Sequence, residues 1–340
     1  MRVDWSRGYT AKYYMTILDK KTMRDMKRVE LKSGSIKRTL DNLRQSADLD
    51  CDGFDIQGEE YIRVWLDAEQ QGSIGHTPLF TGLAMAPNNE YQGYKKSNTL
   101  ECYSVLKIAE DMLLPRGWYA PVDSNGLLLV KDLLGVIGVP ITTPENITVD
   151  PLPTAIVSET KENRLSMSDK ILNAMDWGLR LNGDGSIVLA PNTYDTKLRI
   201  DSIDNDIIEN QISITYDWYN APNVYRCFMD MSYAEAKDEN PDSPLSIQNR
   251  GREVWYEEDN VVLGTTETLG EYAMRRLEEL QRASLDISYT RRYWPDIYPG
   301  DVISINYPRC GVSGKFIITS QDVSLSGSAR TSEEVIRVWV

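Results

Sequence analysis

The chain has 340 residues, 41% of them hydrophobic and 26% charged, which suits a soluble globular protein of two or three domains, each burying its own core. Its formal net charge of −14, from 51 acidic against 37 basic residues, excludes general nucleic-acid binding, which needs a basic footprint. No stretch approaches the eighteen or so apolar residues of a membrane span, and the opening MRVDWSRGYTAKYYM carries charges where a secretion signal needs an apolar core. A chain that stays in the cytoplasm that made it is therefore expected.

The first strand is expected at Lys12–Asp19, where Tyr14, Thr16 and Leu18 alternate with Tyr13, Met15 and Ile17. Others are expected near Val29–Ser35 and Ala47–Asp52. The best-marked stretch is Tyr61–Tyr119. There Ile62, Val64 and Leu66 alternate with Tyr61, Arg63, Trp65 and Asp67, Pro78–Ala84 reads as the partner strand, and Thr99–Val105 as a third. Leu106–Leu114 has a short helical pattern that stops at Pro115 and Gly117. The first region is thus mostly antiparallel β and ends near Leu113.

Leu127–Ile137 is helical in length and apolar content, and Val139–Pro153 is a Pro/Thr-rich connection. Ser166–Asp169 has capping-box spacing and should open a helix with Met167, Ile171, Met175 and Leu179 on one face, stopping at Gly178. In Leu179–Pro191, Asn182–Gly185 should form a tight turn between two short strands. This middle unit is α+β. Strands follow at Gln211–Asp217 and Asn223–Met229, and then a very polar loop, Ser232–Arg252, with Asp242–Pro244 at its tip. A second capping box, Thr268–Glu271, opens a helix whose Leu269, Tyr272, Ala273, Leu277 and Leu280 share a face. Leu285–Tyr289, Val302–Ile305, Lys315–Thr319 and Val335–Val340 read as strands, with a turn at Pro299-Gly300-Asp301. No residue-level repeat relates the two β regions.

The sharpest chemical motif is Asp48-x-Asp50-x-Asp52-Gly53 followed by Glu59, which fits a calcium loop of three carboxylates, a Gly turn and a bidentate Glu. Its context argues against a cation: Asp55 stands where a branched apolar residue is usual, and a strand follows Glu59 instead of a helix. An acidic turn between strands is the plainer reading. Asp201, Asp204 and Asp206 form a similar acidic turn. His76 is the only histidine and sits in a Gly-rich turn without a nucleophile motif beside it, so no catalytic role is expected. The carboxylate pairs Glu59-Glu60, Glu257-Glu258 and Glu278-Glu279 are consecutive, so their side chains diverge. No phosphate-binding glycine motif is present. No catalytic residue, cofactor or metal is therefore expected. Cys51, Cys102, Cys227 and Cys310 lack metal-ligand or redox spacing and are expected to be buried reduced thiols.

Nineteen Tyr and eight Trp against four Phe is an unusual ratio, and such amphipathic rings favour interfaces. Candidates are Trp65, Trp218, Tyr219, Tyr225, Trp255, Tyr256, Tyr293, Trp294 and Tyr298, against the simpler reading of cross-strand pairing. Basic residues gather at Lys20, Lys21, Arg24, Lys27 and Arg28, followed by Lys32, Lys37 and Arg38. They read as a solvated strand face or, more sharply, as a docking patch for an acidic subunit.

The runs IRVWLDAEQQG, PLFTGLA, LECYSVLKIAEDMLLPRGWYAP, LSMSDKILNAMDWGLRLNGDGSIVLAP and YPGDVISI resemble the tail hub, or baseplate hub, proteins of tailed bacteriophages and related injection devices. The resemblance runs from about Tyr13 to the C-terminus and is most specific between Tyr61 and Trp118. It implies an α+β, predominantly β fold: two tail-tube-like antiparallel β-barrel domains with an intervening small α+β domain. Carried over, residues 1–113 form the first barrel and 114–196 the α+β domain. Residues 197–340 form the second barrel, with one packed helix (Thr268–Ala283) and a polar loop (232–252). It also turns Ala47–Cys51 into a barrel strand, which weakens the calcium reading further.

The implied function is structural, with no enzymatic activity. A homotrimer would make a pseudo-sixfold ring joining the hexameric tail tube to distal tail or baseplate proteins, among them a central spike, a tape measure protein or a receptor-binding apparatus. Phage DNA would pass through the lumen without specific binding. The expected location is the virion, at the tail tip, after assembly in the bacterial host cytoplasm. The alternatives are a calcium-dependent host-surface or carbohydrate-binding module using Asp48, Asp50, Asp52 and Glu59, and a peptidoglycan-cleaving enzyme.

Overall fold

The computed structural model of the chain describes residues 3–5, 7–52, 58–92, 95–145, 147, 149–192, 195–201, 208–216, 218–229, 231–261, 263, 267–282, 285–307, 312–327 and 329–338. The first third holds β1 (Thr10–Leu18), β2 (Asp25–Thr39), β3 (Gln45–Asp52), β4 (Glu60–Gln70), β5 (Ser73–Gln92) and β6 (Lys95–Ser104), followed by the short helix α1 (Lys107–Asp111). The strands run in the order β1-β4-β5-β6-β3-β2, and an additional β1–β2 pairing closes them into a ring. Alternation builds the inside: Ile62, Val64, Leu66 and Ala68 of β4 are all fully buried, while the residues between them are not. Gln71 and Gly72 both have positive φ, 50° and 78°, which gives the β4–β5 hairpin its two-residue turn.

The middle of the chain contributes β7 (Tyr119–Ala120), α2 (Gly126–Leu134), β8 (Ile141–Thr142), β9 (Ile156–Val157), α3 (Arg164–Ala174), β10 (Trp177–Leu181) and β11 (Ile187–Pro191). Its core joins α2, α3 and the β10–β11 hairpin, and takes in Val105, Leu106 and Ala109 at the start of α1. Asn125 caps α2 by accepting from the Leu128 N–H, and the Asn182–Gly185 turn is closed by Asn182 N–H donating to the Ser186 carbonyl at 2.9 Å.

The last part holds β12 (Thr196–Asp201), β13 (Ile208–Tyr216), β14 (Val224–Met229), β15 (Ser232–Lys237), α4 (Ile247–Arg250), β16 (Trp255–Glu258), α5 (Leu269–Arg282), β17 (Leu285–Arg292), β18 (Val302–Tyr307), β19 (Val312–Ser324) and β20 (Arg330–Val338). Among them β13, β17, β20, β19, β18 and β12 are neighbours in that order. A smaller sheet, β15-β14-β16, stands apart from this set, and α5 packs on it with Tyr272, Ala273 and Leu277 buried against Tyr225 and Cys227.

The two strand sets belong to one 12-stranded sheet, because β19 pairs with β2. On one edge β19 gives its first half to β18 and its end, Ser320–Ser324, to Ser35–Thr39 of β2. In the same way β2 gives its start to β1 and its end to β19. Both long strands thus run out of one set into the other. The first core accordingly includes Tyr293, Val323, Leu325 and Ala329 from the far end of the chain.

Several expectations are corrected. The helix expected at Leu106–Leu114 covers only Lys107–Asp111, since the backbone at Met112 is already extended. Ser166–Asp169 is not a capping box: α3 begins earlier, capped by Asn163, which accepts from the Ser166 N–H at 2.7 Å. That helix ends at Ala174, so Leu179 lies on β10. The polar segment Ser232–Arg252 is not all loop, because its first six residues form edge strand β15 and Ile247–Arg250 one helical turn. The second capping box is as expected: Thr268 N–H donates to Glu271 Oε2 at 2.8 Å and Glu271 N–H to Thr268 Oγ1 at 3.3 Å. Cys51, Cys102 and Cys227 are free and buried, whereas Cys310 lies outside the described residues.

Candidate functional site

The densest polar arrangement lies where the two strand sets and the middle unit meet. It starts from a bulge. Between Val64/Trp65 and their β5 partners the register shifts from Phe80 to Pro78, so Leu79 is unpaired in the ladder and its carbonyl is free to turn aside. Arg38, on β2, donates from Nη2 to that carbonyl at 2.8 Å. Alternation sends Ile36 and Arg38 inward and Lys37 outward, and Arg38 is 1% exposed. Its guanidinium lies 4.5 Å from the ring centre of Tyr298 and 5.7 Å from that of Tyr293, both supplied by the last third of the chain.

The middle unit enters at the same bulge. Gly183, in the β10–β11 turn, sits against the Pro78 carbonyl, where any side chain would overlap it. Thr81 Oγ1 donates to the Gly183 carbonyl at 2.8 Å, Gln45 Nε2 to the Leu181 carbonyl at 2.6 Å, and Gly183 N–H to Tyr298 Oη at 3.4 Å. Arg180 and Lys197 converge on Asp301 at 3.6 and 2.7 Å. On the far side, Arg44 of the β2–β3 hairpin bonds Asp169 of α3 at 2.6 Å, a pair in which burial pushes the Asp169 carboxyl up to about 6 despite the neighbouring cation.

Beneath this joint is a buried ion pair. Arg291 donates to Glu333 from Nε at 2.8 Å and from Nη2 at 2.5 Å, with both side chains fully buried. Tyr289 Oη and Gln321 Nε2 also donate to Glu333, at 2.7 and 2.6 Å. Gln321 is the β19 residue paired with Arg38 across the β2–β19 seam, so the network reaches that seam directly. Fully desolvated and multiply bonded, such a network costs heavily to break and fixes one packing of β17, β19 and β20, and β19 continues into the seam.

The sequence candidates fall elsewhere. Asp48, Asp50 and Asp52 lie in a row on β3, turned away from the ring interior, spread over about 13 Å of strand. Asp52 pairs with Lys32 at 2.5 Å, and Asp50 accepts from Ser33 at 3.4 Å. Glu59 is described, but Gly53 and Asp55 lie outside the described residues, as do Asp204 and Asp206. Among the described residues no group of three His, Cys, Asp or Glu is placed to hold a metal. His76 is not in a turn: it is an exposed strand residue of β5, with Nδ1 2.7 Å from Asp67. Glu257 and Glu258 do diverge, to Arg226 and Tyr225 respectively.

Of the aromatic candidates, Tyr225 and Tyr293 are buried, and Trp218, Tyr219, Trp255 and Tyr256 are exposed. Trp255 lies under Arg226 at 4.4 Å on the outer face of the small sheet. Arg38 leaves the expected basic patch, being buried, while Lys20, Lys21, Arg24, Lys27 and Arg28 are exposed around the β1–β2 turn.

No family profile matches the sequence, and no curated protein is similar to it in sequence. Solved structures are similar in fold. The 43 kDa tail protein of prophage MuSo2 from Shewanella oneidensis is 12% identical, with a TM-score of 0.70, over 96% of this chain and 98% of that one. This chain shares the fold of phage tail proteins. A tail protein from Neisseria meningitidis is 13% identical, with a TM-score of 0.67 over 97% of each chain. An E. coli type VI secretion system component, itself described as similar to bacteriophage T4 tail proteins, is 7% identical, with a TM-score of 0.55 over 96% of this chain and 77% of that one.

Proposed function

We propose that this chain is a structural hub protein of a phage tail tip or baseplate. Three copies form a pseudo-sixfold ring that joins a hexameric tail tube to a distal spike or receptor-binding apparatus, and phage DNA passes through its centre. One observation carries the reading: each chain holds two strand sets of equal size, β1-β4-β5-β6-β3-β2 and β13-β17-β20-β19-β18-β12, welded into a single sheet by β2 and β19. A rigid pair of equivalent units is what lets a threefold assembly present six tube-like faces. Whole-chain similarity in fold to tail proteins supports the same role.

On this reading the three parts are a first tube-like unit at 1–113, an α+β wedge at 114–196 and a second tube-like unit at 197–340. The net charge of −14 suits a bore through which DNA slides without adhering. Partners are the tail tube protein, other baseplate proteins, and a tape measure or spike protein, in a virion assembled in the host cytoplasm. The role is assembly and gating, and no step of it calls for catalysis. The in-row placement of Asp48, Asp50 and Asp52 gives the calcium-dependent binding module no support.

The test is the mass of the assembled species by native mass spectrometry, with and without tail tube protein. Threefold species are expected. A monomer that persists at high concentration with the tube protein present overturns the proposal.

A further inference from the structure

The β1–β2 turn displays positive charge that its own surroundings do not neutralise. Residues 20–28 carry five cations and one carboxylate, in a chain of net charge −14. That carboxylate, Asp25, is engaged by Arg63 at 3.2 Å and by the Trp65 indole at 3.3 Å. Lys20, Lys21 and Arg24 are exposed, and among the described residues none of them is in an ion pair. Met26, beside them, is 69% exposed.

Local bonds hold this turn in one shape. Asp19 N–H donates to the Arg24 carbonyl at 2.9 Å and Met23 N–H to the Asp19 carbonyl at 2.8 Å. The Asp19 carboxylate accepts from the Thr22 N–H and hydroxyl, both at 2.8 Å. Met23, at a φ of 55°, packs against the core of the middle unit. Charges already fixed in place lose little freedom when a partner arrives.

The opposite arrangement stands in the last third, where β15 runs into Asp238–Asp242, five residues with three carboxylates and no cation. Glu239 and Asp242 are exposed and, among the described residues, in no ion pair. This loop is pinned too, by Asp238 N–H to the Asn223 carbonyl at 2.9 Å and Asn249 Nδ2 to the Pro241 carbonyl at 2.7 Å. Ile247 N–H donates to the Asp238 carbonyl at 2.9 Å, and Arg250, at the other end of α4, donates to the Trp218 carbonyl at 2.5 Å. Trp218 and Tyr219, 56% and 82% exposed, therefore stand at the same end of the small sheet as the acidic loop. Arg250 is held by backbone carbonyls, and Arg252 remains as an exposed cation there.

We propose that the basic β1–β2 turn of one copy docks on the Asp238–Asp242 loop of a second copy, with Met26 and the cations against Trp218 and Tyr219. Carboxylates meet the cations, and the exposed rings accept both an apolar side chain and a guanidinium. A nucleic acid would meet the same cations inside a strongly acidic field, whereas a second copy brings carboxylates and rings together. The two patches are different surfaces, so the contact is head-to-tail and closes a ring where the rotation permits. It joins the first strand set of one copy to the last third of the next, the alternation that a threefold ring of paired units requires. Only the number of copies rests on the reading proposed above.

The experiment measures self-association of the full chain by sedimentation velocity between about 0.05 and 0.5 M salt. It compares the unaltered chain, Lys20→Glu with Arg24→Glu, Glu239→Lys with Asp242→Lys, and a chain carrying all four changes. Either pair should weaken association by roughly a hundredfold, and the combined chain should recover most of that loss. Salt should weaken association of the unaltered chain. All four positions are exposed, so an unchanged unfolding midpoint is the control. Threefold species indifferent to both pairs overturn the inference and leave the hub reading standing. Species of another number that respond as expected uphold the contact and overturn the threefold reading, and a persistent monomer overturns both. Weakening by both pairs with no recovery in the combined chain overturns the pairing of these two surfaces. If the turn changes spare self-association but abolish binding of tail tube protein or duplex DNA, the turn belongs to that partner and the inference fails. Should a variant fail to fold, association of the unaltered chain that salt leaves unchanged overturns it.

Discussion

Gly183 lies directly against the carbonyl of Pro78, so the β10–β11 turn seats on the β5 bulge with no room for a side chain between them. Gly183→Ala forces the turn off this seat and strains the bonds from Thr81 and Gln45 that hold it. The expected loss is about 1–3 kcal/mol, the usual range for overpacking against backbone. The matched control is Gly135→Ala: that residue has helical φ and ψ and nothing near its Cβ position, so the change should be neutral or slightly stabilising. Urea unfolding of both variants checks the pair, and equal losses would remove the seat from the account.

The Arg291–Glu333 pair should behave in the opposite way to surface pairs. Glu333→Gln leaves a fully buried guanidinium without its partner and weakens the bonds from Tyr289 and Gln321, so a loss of about 3–5 kcal/mol is expected. Replacing both partners, as Arg291→Met with Glu333→Leu, removes the stranded charge and should recover part of the loss. Arg7→Ala, at an exposed pair with Asp4, should leave the unfolding midpoint unchanged. A double-mutant cycle measures the coupling.

The ladders were readable because their signal is local. Ile62, Val64 and Leu66 announce a strand with one dry face, and Asn182–Gly185 announces a turn, whatever the rest of the chain does. The expected strands were nevertheless too short. Polar residues on an outer face read as loop, as at the two ends of β2, and Pro78 hides inside a bulge that only the paired strand reveals. Ser166 was a plausible cap until Asn163, equally able to accept from a backbone N–H, took the position.

The joint itself was not readable. Arg38 follows Lys37 and looks like part of a basic face, and its burial shows only once β5 brings the Leu79 carbonyl and the other end of the chain brings Tyr293 and Tyr298 against its guanidinium. The alternation Ile36, Arg38 was the one local hint. Arg291 and Glu333 likewise look like ordinary strand charges until their strands pair.

The helix cap on α5 offers a test of how far the small sheet is energetically separate. Thr268→Ala removes the hydroxyl that accepts from Glu271 N–H and should cost about 1 kcal/mol locally. Because α5 packs chiefly on β14 and β15, faster amide exchange is expected in α5 and β14–β16, with β1–β6 unaffected. Exchange that quickens equally in β1–β6 would show the small sheet to be part of one cooperative unit with the ring.

Asp169 gives a pH dependence whose sign follows from its position. Its carboxyl is raised from the ordinary 3.8 to about 6, with burial as the leading cause, Arg44 opposing and Asp41 reinforcing. A group with a raised folded value binds its proton more tightly when folded, so protonation favours folding. Its contribution is absent well above pH 6, grows as pH falls through about 6 and is complete below about 4. The upper limit is on the order of 3 kcal/mol, at 1.36 kcal/mol for each unit of pKa. Other carboxylates act the other way: Glu162, lowered by its hydrogen bonds and by Lys170 against the effect of burial, loses its stabilising contribution on acidification. The observable is therefore the difference between the unaltered chain and Asp169→Asn. That difference should shift in favour of the unaltered chain between pH 7 and pH 4.5, and a difference that stays flat across this window would place Asp169 in contact with solvent and leave its bond to Arg44 without structural weight.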